Sequence, residues 1–336
     1  MINDEKLKQL ALKVNKYWQS NYPESGNCSW GRACYMLGNI AAYELTAEKE
    51  FLDYAIKWAE DNNWSFYNDA DFNTVNADYQ LCGQIYFKLM DIKKGIGTDK
   101  NMLKTLEFNL SDDKCDYWWW IDAIHMALPF YNMLGTRFND ERYFEKAYKL
   151  YLNTRNERRL YDEAESLWYR DENFLPEVKR EINGAKIFWG RGNGWVIAGL
   201  ARALDEIDKD NKYYEFYKKD FCDMAKKLVK IQNDDGSFNV SFYDKETYPY
   251  HESSSTVLIT LALFIGMRLG IIDDSYNAAA MKGFNWLTDV ALDENGKIGW
   301  CQDIAGWPSH KVSKELSRDY VVGSYLMILN ELKKTL

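Results

Sequence analysis

GRACYMLGNIAAYEL, residues 31–45, is apolar almost all round and rich in small side chains, whereas KEFLDYAIKWAEDN, residues 49–62, is amphipathic with a charged outer face. A helix apolar on every side belongs in an interior, and one with a charged stripe belongs at a surface. The same alternation runs the length of the chain. The buried kind recurs as NADYQLCGQIYFKLM (76–90), WWWIDAIHMALPFYNML (118–134), GNGWVIAGLARAL (192–204), SSSTVLITLALFIGMRLG (253–270) and DYVVGSYLMILNELKK (319–334). The surface kind recurs as EKLKQLALKVNKYW (5–18), a weaker NMLKTLEF (101–108), RYFEKAYKLYLNT (142–154), YYEFYKKDFCDMAKKLVKIQ (213–232) and NAAAMKGFNWLTDVA (277–291). Six helical hairpins, each burying an inner helix under an outer one, predict an all-α (α/α)6 toroid. No Pro-, Gly- or Ser-rich stretch divides the 336 residues, which hold only 5 prolines, so residues 1–336 read as a single domain.

Connections from inner to outer helices are short, as in LTAEKEF and LGTRFNDERY, and the opposite connections are long and carry Gly, Asn, Asp and aromatic residues. Long loops in a compact domain tend to be functional, which places the site at the end where inner helices start. The longest, residues 153–189, is expected to hold a hairpin with LWYRD and KIFW as its strand-like pieces.

A net charge of -9 disfavours nucleic acid and anionic membranes as partners. The 13 Trp and 24 Tyr suit a cleft that stacks sugar rings and hydrogen-bonds their rims. The first residues, MINDEKLKQLALKVNKYW, are amphipathic where a signal peptide needs an apolar run, so a cytoplasmic location is expected. Six scattered cysteines with no CxxC pair, and three histidines with no HExxH-type spacing, predict neither metal nor cofactor. The GRGNG run lacks the glycine spacing and the βαβ setting of a dinucleotide loop, and no GxSxG elbow supports serine chemistry.

Acidic and basic residues converge on the expected mouth. Asp78 and Asp122 sit at the starts of otherwise apolar inner helices, where a carboxylate is costly unless paired or facing a polar cavity. Trp118, Trp119 and Trp120 precede Asp122, and a desolvated carboxyl has the raised pKa a general acid needs. Offsetting the helix dipole is the plainer role open to both aspartates. His125, three residues past Asp122, shares its helix face and is placed either to orient the acid or in the core. Arg191 lies in WGRGNGW, whose glycines would let backbone approach a ligand and whose helix start suits a carboxylate. Glu252 falls on the same rim, and Ser253 to Ser255 are expected to cap the helix that follows.

Taken together, NADYQLCGQIY, WWWIDAIHMALP, LWYRDENF, NGAKIFWGRGNGWVIAGLAR, YPYHESSSTV, GKIGWCQDIAGWP and GSYLMILNEL resemble, in that order, the unsaturated rhamnogalacturonyl hydrolases, glycosidases related to the unsaturated glucuronyl hydrolases. The resemblance implies an (α/α)6 fold and a substrate bearing a C4=C5 unsaturated uronic acid, the product of a polysaccharide lyase. It further implies that Asp122 protonates C4, that water adds at C5 and that the hemiketal opens to release the remaining sugar, with Asp78 in support. By the same resemblance Arg191, for the carboxylate, and Trp195, for stacking, would line the sugar site; the reading of the residues themselves adds Trp119, His125, Arg170 and Glu252 as expected contacts. The chain departs from the pattern in offering Trp168, Tyr169 and Arg170 where some relatives have a histidine, and in HESSST, where serine replaces an expected glycine. A sugar epimerase would need paired proton-transfer groups, typically histidines, and a non-catalytic sugar-binding protein would leave a desolvated aspartate unexplained.

Overall fold

The computed structural model describes residues 3–335 and shows the expected toroid. The helices are α1 (Asp4–Asn21), α2 (Trp30–Thr46), α3 (Lys49–Asp61), α4 (Ala77–Gln80), α5 (Cys82–Ile92), α6 (Lys100–Ser111), α7 (Asp122–Phe138), α8 (Glu141–Leu152), α9 (Gly190–Asp205), α10 (Tyr214–Ile231), α11 (Ser253–Arg268), α12 (Asn277–Trp286) and α13 (Asp319–Lys334). Helices α2, α4 with α5, α7, α9, α11 and α13 form the inner ring, each packed on the next, and α13 closes it against α2. The remaining helices wrap outside with one face buried, as in α8, where Tyr143, Phe144, Ala147, Leu150 and Tyr151 turn inward. None of the described helices is long and apolar enough to cross a membrane.

Two local differences from expectation matter for the site. The third inner helix begins at Asp122 and not in the tryptophan run, so Trp118 to Ile121 form its approach. The hairpin in residues 153–189 pairs β1 (Tyr161–Asp162) with β2 (Leu167–Trp168), leaving KIFW to cross under residues 240–242 instead. Further short pairs join β3 (Phe238–Asn239) to β4 (His251–Glu252) and β5 (Cys301–Gln302) to β6 (Val312–Ser313). All three pairs lie in the long connections at the end where the inner helices start.

Small residues set how tightly the ring closes. A Cβ on Gly38 of α2 would lie 2.1 Å from the carbonyl oxygen of Gly323 on α13, and one on Gly323 would lie 2.2 Å from that of Cys34. Both positions admit only hydrogen, which explains the small side chains in these two helices. Gly38→Ala is expected to force the pair apart and lower stability by about 1–3 kcal/mol, read as a fall in the thermal midpoint.

Candidate active site

The site forms where the starts of α4 and α7 meet the long loops. Asp122 is the first residue of α7, and Asp78 is the second of α4, whose Asn76 cap accepts a hydrogen bond from the Asp78 amide at 2.9 Å. The Ile121 amide donates to the Arg170 carbonyl at 3.0 Å, which fastens the start of α7 to the end of β2. That backbone tie brings the Arg170 guanidinium over Asp122, with Nε 3.8 Å from Oδ2. Both of these atoms are buried and neither has a hydrogen-bond partner. Buried polar atoms are nearly always paired by protein or ordered water, so these facing atoms are open to a further polar partner.

Burial raises the Asp122 carboxyl above the usual carboxylate range, and the positive charges of Arg170 and Arg191 oppose the rise. Asp78 is pushed up to about 7, first by burial and then by the Asp122 charge, with Arg170 pulling the other way. Burial thus disfavours the anionic form of both carboxyls, and the Asp122 charge adds to the cost of ionising Asp78. Arg170 leans on Asp122, so in the empty site the negative charge favours Asp122 and the proton favours Asp78. Of the three tryptophans before Asp122, Trp118 and Trp120 are buried and Trp119 is 46% exposed, with the Arg170 guanidinium 5.1 Å from its ring centre.

The other expected contacts are brought to the same end but spent differently. Arg191 is buried; its Nη1 donates to the Gln302 carbonyl at 2.9 Å and to the Tyr320 hydroxyl at 3.2 Å, and its Nη2 donates to the carbonyls of Asp303 and Ala305 at 3.0 and 3.1 Å. Both terminal nitrogens therefore latch residues 302–305. Glu252, also buried, is itself the N-cap of α11, accepting from the amides of Ser254 and Ser255 at 2.6 and 2.7 Å, so the serines are capped and do not cap. Trp195 is buried, with His125 4.6 Å and Tyr320 5.7 Å from its ring. His125 lies below the acid beside Arg202, 3.3 Å away, and burial together with that positive charge holds it neutral. The glycines of the GRGNG run serve packing: a Cβ on Gly192 would meet the Trp189 ring at 2.7 Å, and one on Gly194 would meet Leu258 at 3.0 Å.

Residues that sequence reasoning passed over hold the loops in place. Asn193 accepts from the Trp168 amide at 2.8 Å and donates to the Trp168 carbonyl at 3.1 Å, fixing the strand that leads to Arg170. Its signal in the sequence is its place between the two glycines that follow Arg191 in GRGNG. Asp171 accepts from Arg170 Nη1 at 2.5 Å, and Gly306 packs against the same guanidinium. The other histidines lie apart: His251 bonds Asp235 at 2.7 Å, and His310 lies against Tyr248. Among the described residues no three His, Cys, Asp or Glu side chains gather as metal ligands.

Comparison with known proteins settles the lineage. The sequence model described as Glycosyl Hydrolase Family 88 matches residues 3–336. The chain belongs to that family. A relative from Formosa agariphila named an unsaturated 3S-rhamnoglycuronyl hydrolase is 31% identical over 99% of this chain and 92% of its own. The unsaturated rhamnogalacturonyl hydrolase YesR of Bacillus subtilis is 26% identical over 80% of this chain and 77% of its own. A solved family 88 structure from Bacteroides vulgatus is 28% identical and covers the whole of both chains at a TM-score of 0.93. This family 88 protein is thus a glycoside hydrolase, as the sequence resemblance implied.

Gly306 offers a direct probe of the geometry. A Cβ there would stand 3.3 Å from Cζ of Arg170, so the guanidinium would have to give by a few tenths of an ångström beside Asp122. Gly306→Ala is expected to lower kcat/KM about tenfold while leaving the thermal midpoint within a degree or two, checked by steady-state kinetics beside a melting curve.

Proposed function

We propose that this enzyme removes a 4,5-unsaturated uronic acid from the non-reducing end of a lyase-generated oligosaccharide by hydrating its C4=C5 bond, with Asp122 as the acid. The observation that carries the reading is the buried pair of orphan atoms, Asp122 Oδ2 and Arg170 Nε, beside a second carboxyl that titrates near 7. A uronate supplies what each lacks. Its C6 carboxylate is the natural partner of the Arg170 guanidinium. C4, two bonds from C6, then falls to Asp122.

Docking an anion on Arg170 also removes the force that keeps Asp122 ionised, so the proton held by the pair moves onto Asp122 as substrate binds. Asp122 then protonates C4, the positive charge develops over C5 and the ring oxygen, and water adds at C5. The hemiketal opens, C1 is left as a hemiacetal, and its collapse expels the remaining sugar. Asp78, ionised once its proton has gone to Asp122, stabilises the cationic centre and receives a proton from the water. Cleavage starts at the double bond, so the carboxyl spacings that distinguish retaining from inverting attack at an anomeric carbon have no bearing here.

In this assignment Asp122, Asp78, Arg170 and Trp119 touch substrate, while Arg191, Glu252, Trp195 and His125 hold the walls. The whole chain serves as one catalytic domain, with no cofactor or metal. The names of the two curated relatives both join an unsaturated uronyl group to rhamnose, which supports rhamnose as the sugar released. The 31% relative carries a glycuronyl name and YesR a galacturonyl one; the resemblance across the motifs favours a galacturonyl-type substrate, with the glucuronyl type as the second reading. We place the reaction in the cytoplasm, which keeps thiols such as Cys28, Cys34, Cys82 and Cys301 reduced.

Loss of the enol-ether absorbance of an unsaturated rhamnogalacturonan disaccharide tests the function directly. Wild type is expected to bleach it, and Asp122→Asn, which keeps the shape but has no proton to give, is expected to lose at least about a thousandfold in kcat with KM little changed. Full activity in that variant would contradict the assignment. Because the free enzyme carries that proton on Asp78, kcat/KM should be highest below pH 7 and fall as pH rises through about 7. Asp78→Asn removes the neighbouring charge that opposes ionisation of Asp122, so its alkaline limb should move to lower pH.

A further inference from the structure

The segment over Arg170 combines a fixed backbone with an exposed side chain. Arg191 holds the carbonyls of Gln302, Asp303 and Ala305, and Trp189 Nε1 donates to the Gln302 side chain at 2.8 Å. Gln302 in turn donates to the carbonyl of Trp307 at 3.0 Å and to Ser309 at 3.1 Å, so the main chain at Trp307 is pinned. The Trp307 indole is nevertheless 52% exposed. Gly306, next to it, packs on one side of the Arg170 guanidinium, and the half-exposed Trp119 lies 5.1 Å from that group. Trp119 thus borders Arg170 directly, and Trp307 follows in sequence the glycine that packs on the same guanidinium.

An exposed tryptophan on a tethered backbone keeps apolar surface in water without gaining freedom of movement, a combination that makes sense where a ligand covers it. The direction of the reaction says which ligand. With the unsaturated ring seated inward on Asp122 and Arg170, the glycosidic bond points outward, and the next sugar meets the rim. A 6-deoxyhexose presents a methyl group and ring C–H bonds on one side, the surface an indole stacks against. We propose that Trp307, together with Trp119, forms the site for the leaving sugar and that Trp307 sets the preference for an apolar-faced hexose such as rhamnose. The inference rests on the unsaturated uronyl hydrolase reading above.

The test compares two substrates carrying the same unsaturated uronate, one linked to rhamnose and one a methyl glycoside with no second sugar, each followed by loss of absorbance. Wild type is expected to favour the disaccharide in kcat/KM. In Trp307→Ala that advantage should shrink about tenfold, chiefly through KM for the disaccharide, and Trp307→Phe, which keeps an aromatic face, should restore most of it. An advantage that survives unchanged in Trp307→Ala while both substrates slow together would show that Trp307 merely props its loop and would overturn the proposal. Wild type that cleaves both substrates with no advantage for the disaccharide would also overturn it while leaving the hydrolase reading intact. Wild type that cleaves neither would remove that reading and this inference with it.

Discussion

Placing a carboxyl among apolar helices at the centre of a ring costs free energy, and the arrangement around Asp122 is the answer to that cost. Among the described residues no hydrogen-bond donor reaches its Oδ2, the Arg170 guanidinium stands 3.8 Å off, and burial likewise weighs on Asp78. The pair meets the constraint by keeping a proton at a pH where an ordinary carboxylate has none. A retained proton is what the proposed addition to a carbon–carbon double bond requires, and in that proposal the energetic burden and the chemistry have one origin.

The supporting parts follow from the need to keep Arg170 where it is. The ring fixes the start of α7; the amide of Ile121 ties that start to Arg170; Asn193 ties the strand before Arg170 to α9. Arg191 then holds the segment whose Gly306 bears on the guanidinium. Each contact joins loops far apart in sequence, and the toroid makes this possible by delivering its long connections to one end. The tight approach of Gly38 to Gly323 at the seam belongs to the same economy, since a looser ring would separate the loops it carries.

The fold was legible because it is written in local periodicity: each helix declares its burial through its own residues. Asp78 and Asp122 were legible for a similar reason, as charges at the starts of apolar helices. Partners distant in sequence were not. Arg191 has the residue type and helix-start position of an anion ligand, and only the loop 111 residues on shows that its donors are taken. His125 shares a helix face with Asp122 by spacing, yet Arg202, 77 residues later, claims it. Glu252 read as a contact on the rim because the cap of its helix was expected from Ser253 to Ser255, whereas Glu252 itself supplies it. The tryptophan run was expected to desolvate Asp122 as a block, whereas it ends before the helix and turns Trp119 outward.

Hydration of the double bond distinguishes this account from cleavage at the anomeric carbon, and deuterium reports it. With the unsaturated disaccharide turned over in D2O and the first-formed product examined by NMR before solvent exchange, the account predicts a single deuteron on one face of C4 in the released uronate. A product whose C4 carries no deuterium at that stage, with the double bond still present, would contradict it.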